Sequence, residues 1–173
     1  PLTGGISSKM LSDVGCEFVI IGHSEQRLHL NESNEILSDK LLKAIERDII
    51  PIFCIGETKS QKDTDLTMEV LSKQLDVIQT DISNKCIIAY EPVWAIGTGD
   101  YAEISLIEEM HAYIKEYVMN KTKSSNQISV VYGGSVNLDN YKEIYSSAQV
   151  DGLLIGGASL DANTFTEIYN MSQ

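Results

Sequence analysis

The sequence predicts an α/β fold in which the strands of one parallel sheet alternate with helices. Five short apolar runs, rich in branched residues, are each followed by a stretch with helical spacing. The runs are continuously apolar instead of alternating, which is typical of strands buried on both faces of a parallel sheet. Because strands and helices alternate, right-handed crossovers are expected. The predicted strands are 18–21, 50–55, 86–90, 128–132 and 153–155.

Apolar residues between these runs recur at helical spacing and predict the helices. One helix is expected to begin near 136–138, with Tyr141, Ile144 and Tyr145 on its inner face. Two helices earlier in the chain are predicted from one-sided apolar faces, the first formed by Leu71, Leu75, Ile78 and Ile82 and the second by Ile107, Met110, Ile114, Tyr117 and Val118.

Length and composition are those of an ordinary globular domain. The 173 residues are 43% hydrophobic and 22% charged, which suits one domain with a sizeable core. Acidic residues outnumber basic ones by 25 to 13, and the basic residues are scattered, so neither nucleic acid nor anionic lipid is an expected partner. No apolar run approaches the roughly 18 residues that a membrane-spanning helix needs, so no membrane segment is expected.

The three cysteines are far apart and none belongs to a CxxC pair. Such an odd, dispersed set argues against a disulfide framework and against a zinc site, and no metal or cofactor is expected. Cys54 and Cys86 lie inside apolar runs, so they are interpreted as buried structural thiols. This cysteine usage favours a reducing compartment, and a cytoplasmic protein is expected.

Glycine-bearing polar clusters follow almost every predicted strand, at 22–25, 56–58, 133–135 and 156–159, and Glu91–Pro92 follows the third. Ligands of parallel α/β folds bind beyond the carboxyl ends of the strands, as in a (β/α)8 barrel or a doubly wound sheet. A complete barrel takes roughly 250 residues, or about 31 for each βα unit. The chain therefore fits the last five βα units of such a barrel, as a single incomplete domain over 1–173. The first residues are interpreted as a loop of a longer chain.

The segment 89–99 is the most specific in the sequence. Glu91 follows a buried strand, and Pro92 keeps it extended, so its carboxylate is expected to project from the rim of the sheet. The apolar stretch 93–96 comes next, followed by Gly97 and Gly99. A loop that is stiff at its start and permissive at its end can close over a ligand and exclude water. For a Glu–Pro pair alone, an ordinary strand-to-helix loop with a packed Trp would be the simpler interpretation.

The segment 89–99 resembles the base-and-lid signature of the triosephosphate isomerases. The segments 22–27, 132–135 and 156–160 resemble further motifs of that family, in the family's order, and the resemblance covers the whole chain. It implies a TIM barrel that interconverts D-glyceraldehyde 3-phosphate and dihydroxyacetone phosphate through an enediolate, in glycolysis and gluconeogenesis. Such a reaction needs a base, an electrophile for the carbonyl oxygen, a phosphate anchor and a dry site.

The resemblance also assigns roles to single residues. It implies that Glu91 is the base and that His23 is the electrophile, acting as a neutral imidazole at a helix N-terminus. Glu25 is similar to an acid that supports the family's active site. His29 and His111 have no comparable setting and are interpreted as surface or packing residues. Arg27 is interpreted as structural, and Tyr90 and Cys54 as packing residues.

The lid and the phosphate anchor are likewise implied by the resemblance. The anchor is expected to be mostly backbone, because glycines let N–H groups approach an anion closely. Its members would be Gly133, Gly134 and Ser135 after the fourth strand, Gly156 and Gly157 after the fifth, and Gly97 in the lid. The lid would be Pro92, Val93, Trp94, Ala95, Ile96, Gly97, Thr98 and Gly99.

The beginning of the chain resembles the family's dimer-interface loop, which implies a homodimer through the loop formed by Leu2 to Ile6. Gly5 stands where the family commonly has an acid, and Gln26 where it often has Arg. We hypothesise that this ion pair has been lost while the rest of the dimer contact is retained. The Asn and Lys that the family contributes from its first strand are not in this chain. We therefore expect the chain to be inactive without an N-terminal segment that completes the barrel.

Three alternatives stand beside this interpretation. Other phosphate-binding barrels, such as ribulose-phosphate epimerases or indole-pathway enzymes, share glycine-rich loops after the last two strands but lack the Glu–Pro lid. The segment 97–102 matches G-x-G-x-x-A, but a dinucleotide-binding motif must follow the first strand of a βαβ unit, and this one does not. A non-catalytic barrel fragment that acts as a structural partner is the third.

Overall fold

The computed structural model describes residues 3–79, 82, 85–97, 101–123 and 128–171. Five strands form one sheet in chain order, and each of the four pairings is parallel. The predicted α/β fold is thereby confirmed, with strand ends that differ by no more than two residues, while closure into a barrel stays a prediction. The strands are β1 (Phe18–Ile21), β2 (Ile50–Ile55), β3 (Ile87–Tyr90), β4 (Ser129–Tyr132) and β5 (Gly152–Leu153).

Helices connect consecutive strands. Two 3-10 turns, Val93–Ala95 and Gly157–Leu160, follow β3 and β5. No helix among the described residues combines the length and apolar character that crossing a membrane requires. The helices are α1 (Ser8–Asp13), α2 (Ser24–His29), α3 (Asn34–Ile45), α4 (Lys59–Asp63), α5 (Thr67–Leu75), α6 (Ile104–Thr122), α7 (Tyr141–Ser146) and α8 (Ala162–Met171).

The core lies between the sheet and the helices α3, α5 and α6. The predicted inner faces of α5 and α6 are confirmed, although α5 ends at Leu75, so that Ile78 and Ile82 are buried beyond its end. Tyr117 is only half-buried, because its hydroxyl reaches out to Asp76 at 2.9 Å. Both Cys54 and Cys86 are buried free thiols, as expected.

One face of the sheet is uncovered at β1, although the apolar run of β1 is typical of a strand buried on both faces. Phe18 and Ile20 are each 51% exposed, and Ile50, the register partner of Phe18, is 37% exposed. Ile21 points to the opposite face and is buried in the core. Helix α3 packs on that opposite face, whereas nothing in the described part of the chain covers Phe18 and Ile20.

Helix α7 begins later than predicted, at Tyr141 instead of near 136–138. The side-chain oxygen of Asn137 accepts from the amides of Asp139 and Asn140, at 2.8 and 3.2 Å, while that of Asn140 accepts from Asn137 N at 2.9 Å. This reciprocal turn takes the place of the first helical turn. Tyr141 and Ile144 are buried as predicted, but Tyr145 is exposed.

Of the two histidines outside the motifs, His29 is exposed and His111 is fully buried. The ring of His111 lies edge-on to Tyr90, with centroids 6.0 Å apart, and 6.5 Å from the ring of Tyr132. The packing interpretation of His111 is therefore confirmed, and the surface interpretation applies to His29 alone.

Candidate active site

The two residues expected to be catalytic meet at the carboxyl end of the sheet. His23 follows β1 by two residues and Glu91 directly follows β3. His23 Nε2 lies 3.6 Å from Glu91 Oε1. Glu91 is 3% exposed, whereas the side chain of His23 is 28% exposed. A buried carboxylate thus lies next to a partly accessible imidazole, close enough for both to contact the same small ligand.

The turn from β1 into α2 fixes the orientation of His23. Gly22 has φ +76°, a conformation that favours glycine, and a Cβ there would make a tight contact, 3.1 Å from the Phe53 ring. His23 then caps α2, and its Nδ1 accepts from Glu25 N at 3.3 Å. Because an accepting ring nitrogen carries no hydrogen, this bond assigns the proton of the neutral imidazole to Nε2, the atom that faces Glu91.

The backbone of Glu91 is enclosed by the neighbouring strand ends. Its amide donates to Ile55 O at 2.7 Å, which continues the pairing of β3 with β2. A Cβ on Gly56 would lie 1.8 Å from Glu91 O, and a Cβ on Gly133 would lie 2.7 Å from Glu91 Cγ. Glycine at both positions is what allows the carboxylate to occupy this place.

Burial raises the pKa of Glu91 above its ordinary value, while His23, a bond from Cys54, the Ser24 backbone and the charge of Arg27 lower it. Glu91 Oε2 is buried without a hydrogen-bond partner among the described residues. A carboxylate with one unpartnered oxygen and a raised pKa is suited to accept a proton from a bound ligand.

The first half of the predicted lid is attached to the loop after β2. Trp94 lies in the 3-10 turn Val93–Ala95 and donates from Nε1 to Glu57 Oε1 at 2.7 Å. The Tyr90 hydroxyl donates to the other carboxylate oxygen of Glu57 at 3.2 Å. Lys62 Nζ lies 3.6 Å above the centre of the Trp94 ring. Glu57 itself is fully buried, so these contacts hold an unexposed charge beneath the lid.

Further contacts join the lid to β4 and its following loop. Ser135 N donates to Ala95 O at 3.0 Å. Ala102 N donates to the hydroxyl of the buried Tyr132 at 3.1 Å. Gly97 has φ +68°, which agrees with a permissive end of the lid. Two predicted lid residues, Thr98 and Gly99, lie outside the described residues.

The residues expected to hold phosphate fall into two groups. Gly133 N donates to Tyr90 O at 2.8 Å, so its amide belongs to the sheet, and its expected role as a phosphate donor is corrected. A Cβ on Gly134 would lie 2.2 Å from the Tyr132 hydroxyl, so this glycine makes room for that ring. Gly156 and Gly157, by contrast, have no described atom within 4 Å of an added Cβ. Their backbone borders open space after β5.

Sequence reasoning missed three contributors to the site, namely Glu57, the Tyr90 hydroxyl and the contacts of Arg27. Glu57 directly follows the glycine after β2, and a charged residue placed after a buried strand was the available signal. Tyr90 was interpreted only as a packing residue, yet it bonds to Glu57.

Glu25 is exposed, with Oε2 4.0 Å from His23 Nδ1. No group of three or more acidic, His or Cys residues suited to a metal occurs in the described part of the chain.

Two cavities differ in their relation to this pair. One of about 310 Å³ is bordered by Glu91, Arg27 and Gln74. Another of about 720 Å³ lies between β5, α7 and α8, and neither Glu91 nor His23 lines it. Position at the strand ends, not cavity size, therefore identifies the candidate site.

Comparison with known proteins agrees with this geometry. The family model described as triosephosphate isomerase matches residues 1–172. A triosephosphate isomerase of Baumannia cicadellinicola subsp. Homalodisca coagulata is 42% identical over 171 residues, which cover 96% of this chain and 67% of the relative. That of Neisseria meningitidis serogroup A is 41% identical, covering 99% and 68%. That of Francisella tularensis subsp. mediasiatica is 45% identical over 175 residues, covering 98% and 69%. The chain spans about two thirds of the length of these relatives.

Proposed function

Since the chain belongs to the triosephosphate isomerase family, we propose that Glu91 and His23 are the residues that carry out its proton transfer. The enzyme is an isomerase that interconverts D-glyceraldehyde 3-phosphate and dihydroxyacetone phosphate. The separation of 3.6 Å between His23 Nε2 and Glu91 Oε1, at the carboxyl end of the sheet, is the observation that carries this assignment.

The reaction begins when the Glu91 carboxylate takes a proton from the carbon next to the substrate carbonyl. The electron pair of that C–H bond forms the C=C bond of the enediolate, and the carbonyl π electrons move onto oxygen. The Nε2–H of His23 donates a hydrogen bond to that oxygen and stabilises the charge that develops there. His23 Nε2 gives its proton to that oxygen and takes the proton of the neighbouring hydroxyl, whose O–H electron pair forms the new C=O bond. The electron pair of the C=C bond takes the proton back from Glu91 at the former carbonyl carbon, which completes the second triose phosphate. The raised pKa of Glu91 supports this role, because it makes the carboxylate a stronger base than an exposed one.

The lid and the glycine amides supply the remaining requirements. We assign phosphate binding to the amides of Gly97, Ser135, Gly156 and Gly157. In this structure Ser135 N donates to Ala95 O, so phosphate binding there requires that bond to break. When the lid is open, the enediolate can lose its phosphate group by elimination. A closed, dry site suppresses this side reaction. Lid closure and phosphate capture would then occur together.

Assembly and compartment are also proposals. We assign a homodimer through the loop that Leu2 to Ile6 form, of which Leu2 lies outside the described residues. The exposed side chains of Ile6, Met10 and Val14 support this assignment. The three free cysteines agree with a reducing, cytoplasmic setting. Closure of the sheet into a TIM barrel would cover the exposed residues Phe18 and Ile20. Inactivity of the chain by itself stays a prediction, checked by a coupled isomerase assay on the pure 173-residue chain.

Isotope exchange tests the proposed roles directly. The active protein that carries this chain is incubated with either triose phosphate in D2O, and product deuteration is followed by NMR. Solvent deuterium should enter at the carbon that receives the proton, and Glu91→Gln should lower turnover by on the order of 10²-fold or more. The exposed Glu116→Gln on α6 serves as the matched control and should keep normal turnover. Normal deuteration by Glu91→Gln would refute the assignment.

A further inference from the structure

Arg27 connects the two strand ends that carry the catalytic pair. It lies on α2, and its guanidinium donates from Nε to Gly22 O at 2.9 Å and from Nη2 to Cys54 O at 3.2 Å. Gly22 directly precedes His23, and Cys54 is the penultimate residue of β2. One rigid, planar group therefore bonds to the carboxyl ends of β1 and β2 at the same time.

The path from Arg27 to Glu91 is short. The residue after Cys54 is Ile55, whose carbonyl accepts from Glu91 N at 2.7 Å. A shift of Cys54 relative to Gly22 therefore moves Glu91 relative to His23. This geometry contains no other described side chain that donates to both strand ends, since the bonds of Gln74 go to Gly56 alone.

The third bond of the guanidinium anchors it to the helix layer. Nη1 donates to Asn34 Oδ1 at 3.0 Å, and Asn34 Nδ2 donates to Lys73 O at 2.9 Å. The guanidinium also lies 5.5 Å from the centre of the Phe53 ring. Burial lowers the pKa of Arg27, while the carboxylates of Glu32 and Glu91 raise it. A cation is costly to desolvate, and hydrogen bonds from Nε, Nη1 and Nη2 offset part of that cost here.

We propose that Arg27 is a positioning residue for the isomerisation, which sets the distance between His23 and Glu91 by bonding to the carbonyls of Gly22 and Cys54. This inference rests on the proposed roles of His23 and Glu91. Arg27 touches neither substrate atoms nor the phosphate anchor in this assignment, so its loss should lower kcat more than it raises KM.

The charge of Arg27 gives a second measurement, the pH dependence of kcat/KM, which the loss of a purely structural residue would leave unchanged. Glu91 is faced by His23, Ser24 and Arg27 from the turn and α2, and by Cys54 from β2. Burial raises the pKa of Glu91 and the positive charge of Arg27 lowers it. Without that charge the acid limb of the kcat/KM profile should move to higher pH, because Glu91 would then hold its proton more strongly.

Two substitutions separate position from charge, in the active protein that carries this chain. Arg27→Met should lower kcat about tenfold or more, because small displacements of catalytic groups are costly, and should move the acid limb to higher pH. Arg27→Lys keeps the charge but cannot form the planar fork, so kcat should fall while the acid limb stays in place.

Lys115→Met is the matched control for the loss of a hydrogen-bonded cation. Lys115 is 7% exposed and donates to Gln149 O at 2.9 Å and to Asp151 Oδ1 at 3.0 Å, without contact to the catalytic pair. It should lower thermal stability and leave the pH profile unchanged. Should Arg27→Met fail to fold, Asn34→Ala removes one of the three bonds and should lower kcat with KM retained.

Two outcomes overturn the proposal. One is a folded Arg27→Met protein with the kcat and pH profile of the wild type. The other is a Lys115→Met protein whose kcat and profile change as those of Arg27→Met do. Glu91→Gln in the same assay distinguishes failure of the Arg27 proposal from failure of the proposed function. Its loss of activity would support Glu91 as the base even if Arg27 proves unimportant.

Discussion

The indole N–H of Trp94 donates a 2.7 Å hydrogen bond to the buried carboxylate of Glu57. The same carboxylate accepts from the Tyr90 hydroxyl, one residue before the proposed base. The lid and the end of β3 are therefore bonded to a single charge. Any movement of the lid that breaks the indole bond must leave Glu57 with one donor fewer in a place that water does not reach.

A double-mutant cycle measures this bond. Trp94→Phe and Glu57→Leu, singly and together, should give a coupling free energy of unfolding of about 1.5 to 3 kcal/mol, since bonds to charged groups fall in that range. Urea denaturation supplies the four free energies. A parallel cycle of Trp94→Phe with Lys62→Met should give a smaller coupling of about 0.5 to 1 kcal/mol, because the cation–π contact is partly accessible to water on both sides. Equal coupling in both cycles would contradict the ranking.

The raised pKa of Glu91 predicts a stability effect with a definite sign. Since the folded pKa lies above the ordinary 4.5, the unfolded chain loses this proton first as pH rises, and folding stability from this group falls through the folded pKa. Glu91→Gln carries no charge at any pH. Its Tm should therefore exceed that of the wild type at pH 8, by about 2 to 4 °C for each kcal/mol, and the difference should shrink below pH 4.5.

Thermal melts between pH 4 and pH 8 check this, with Glu116→Gln as the control at an exposed site. A Glu91→Gln protein that is less stable than the wild type at pH 8 would show that burial of the charged carboxylate does not destabilise the folded state.

The buried His111 predicts the opposite dependence on pH. Burial lowers its pKa from 6.5 to about 4, although its bond to Gln149 O and the charge of Asp151 raise it and Lys115 lowers it. Between these values the unfolded chain binds a proton that the folded chain does not. The free energy of unfolding should therefore fall as pH decreases from 6.5 to about 4, by up to about 1.4 kcal/mol per pH unit.

Urea denaturation across this range compares the wild type with two variants. His111→Phe should remove that slope, and the exposed His29→Gln should retain it. A slope that survives in His111→Phe would assign the titration to another group.

Gly133 and Gly157 should differ in which kinetic constant they affect. A Cβ on Gly133 would meet Glu91 Cγ at 2.7 Å, so Gly133→Ala should displace the base and lower kcat by on the order of 10²-fold. A Cβ on Gly157 meets no described atom within 4 Å. Gly157→Ala should therefore fold normally and act on KM, if its amide binds phosphate. Steady-state kinetics separate the two, and a KM effect alone at Gly133 would contradict the steric argument.

Strands were the part of this fold that sequence reasoning predicted most closely. The runs of β1 and β2 end at Gly22 and Gly56, so branched residues and glycine together mark the boundary. The start of α7 was predicted too early, because Asn137 and Asn140 prefer to bond to nearby backbone amides before a helix forms. Such local competition is decided by geometry that spacing alone does not specify.

The candidate site divides in the same way. Glu91 and His23 were found because motifs at strand ends carry them. The bond between Trp94 and Glu57 joins residues 37 positions apart, and that between Arg27 and Cys54 joins residues 27 apart. Their pairing depends on how neighbouring strands are aligned, which periodicity does not reveal.

The chain-order arrangement of the sheet has a consequence for biosynthesis. Each described strand pairs only with the strand before it and the strand after it in the chain. As the polypeptide leaves the ribosome from its N-terminus, each new βα unit can dock on an edge that already exists and does not have to wait for distant partners. Co-translational growth of the sheet, one unit at a time, is thus built into the order of its strands.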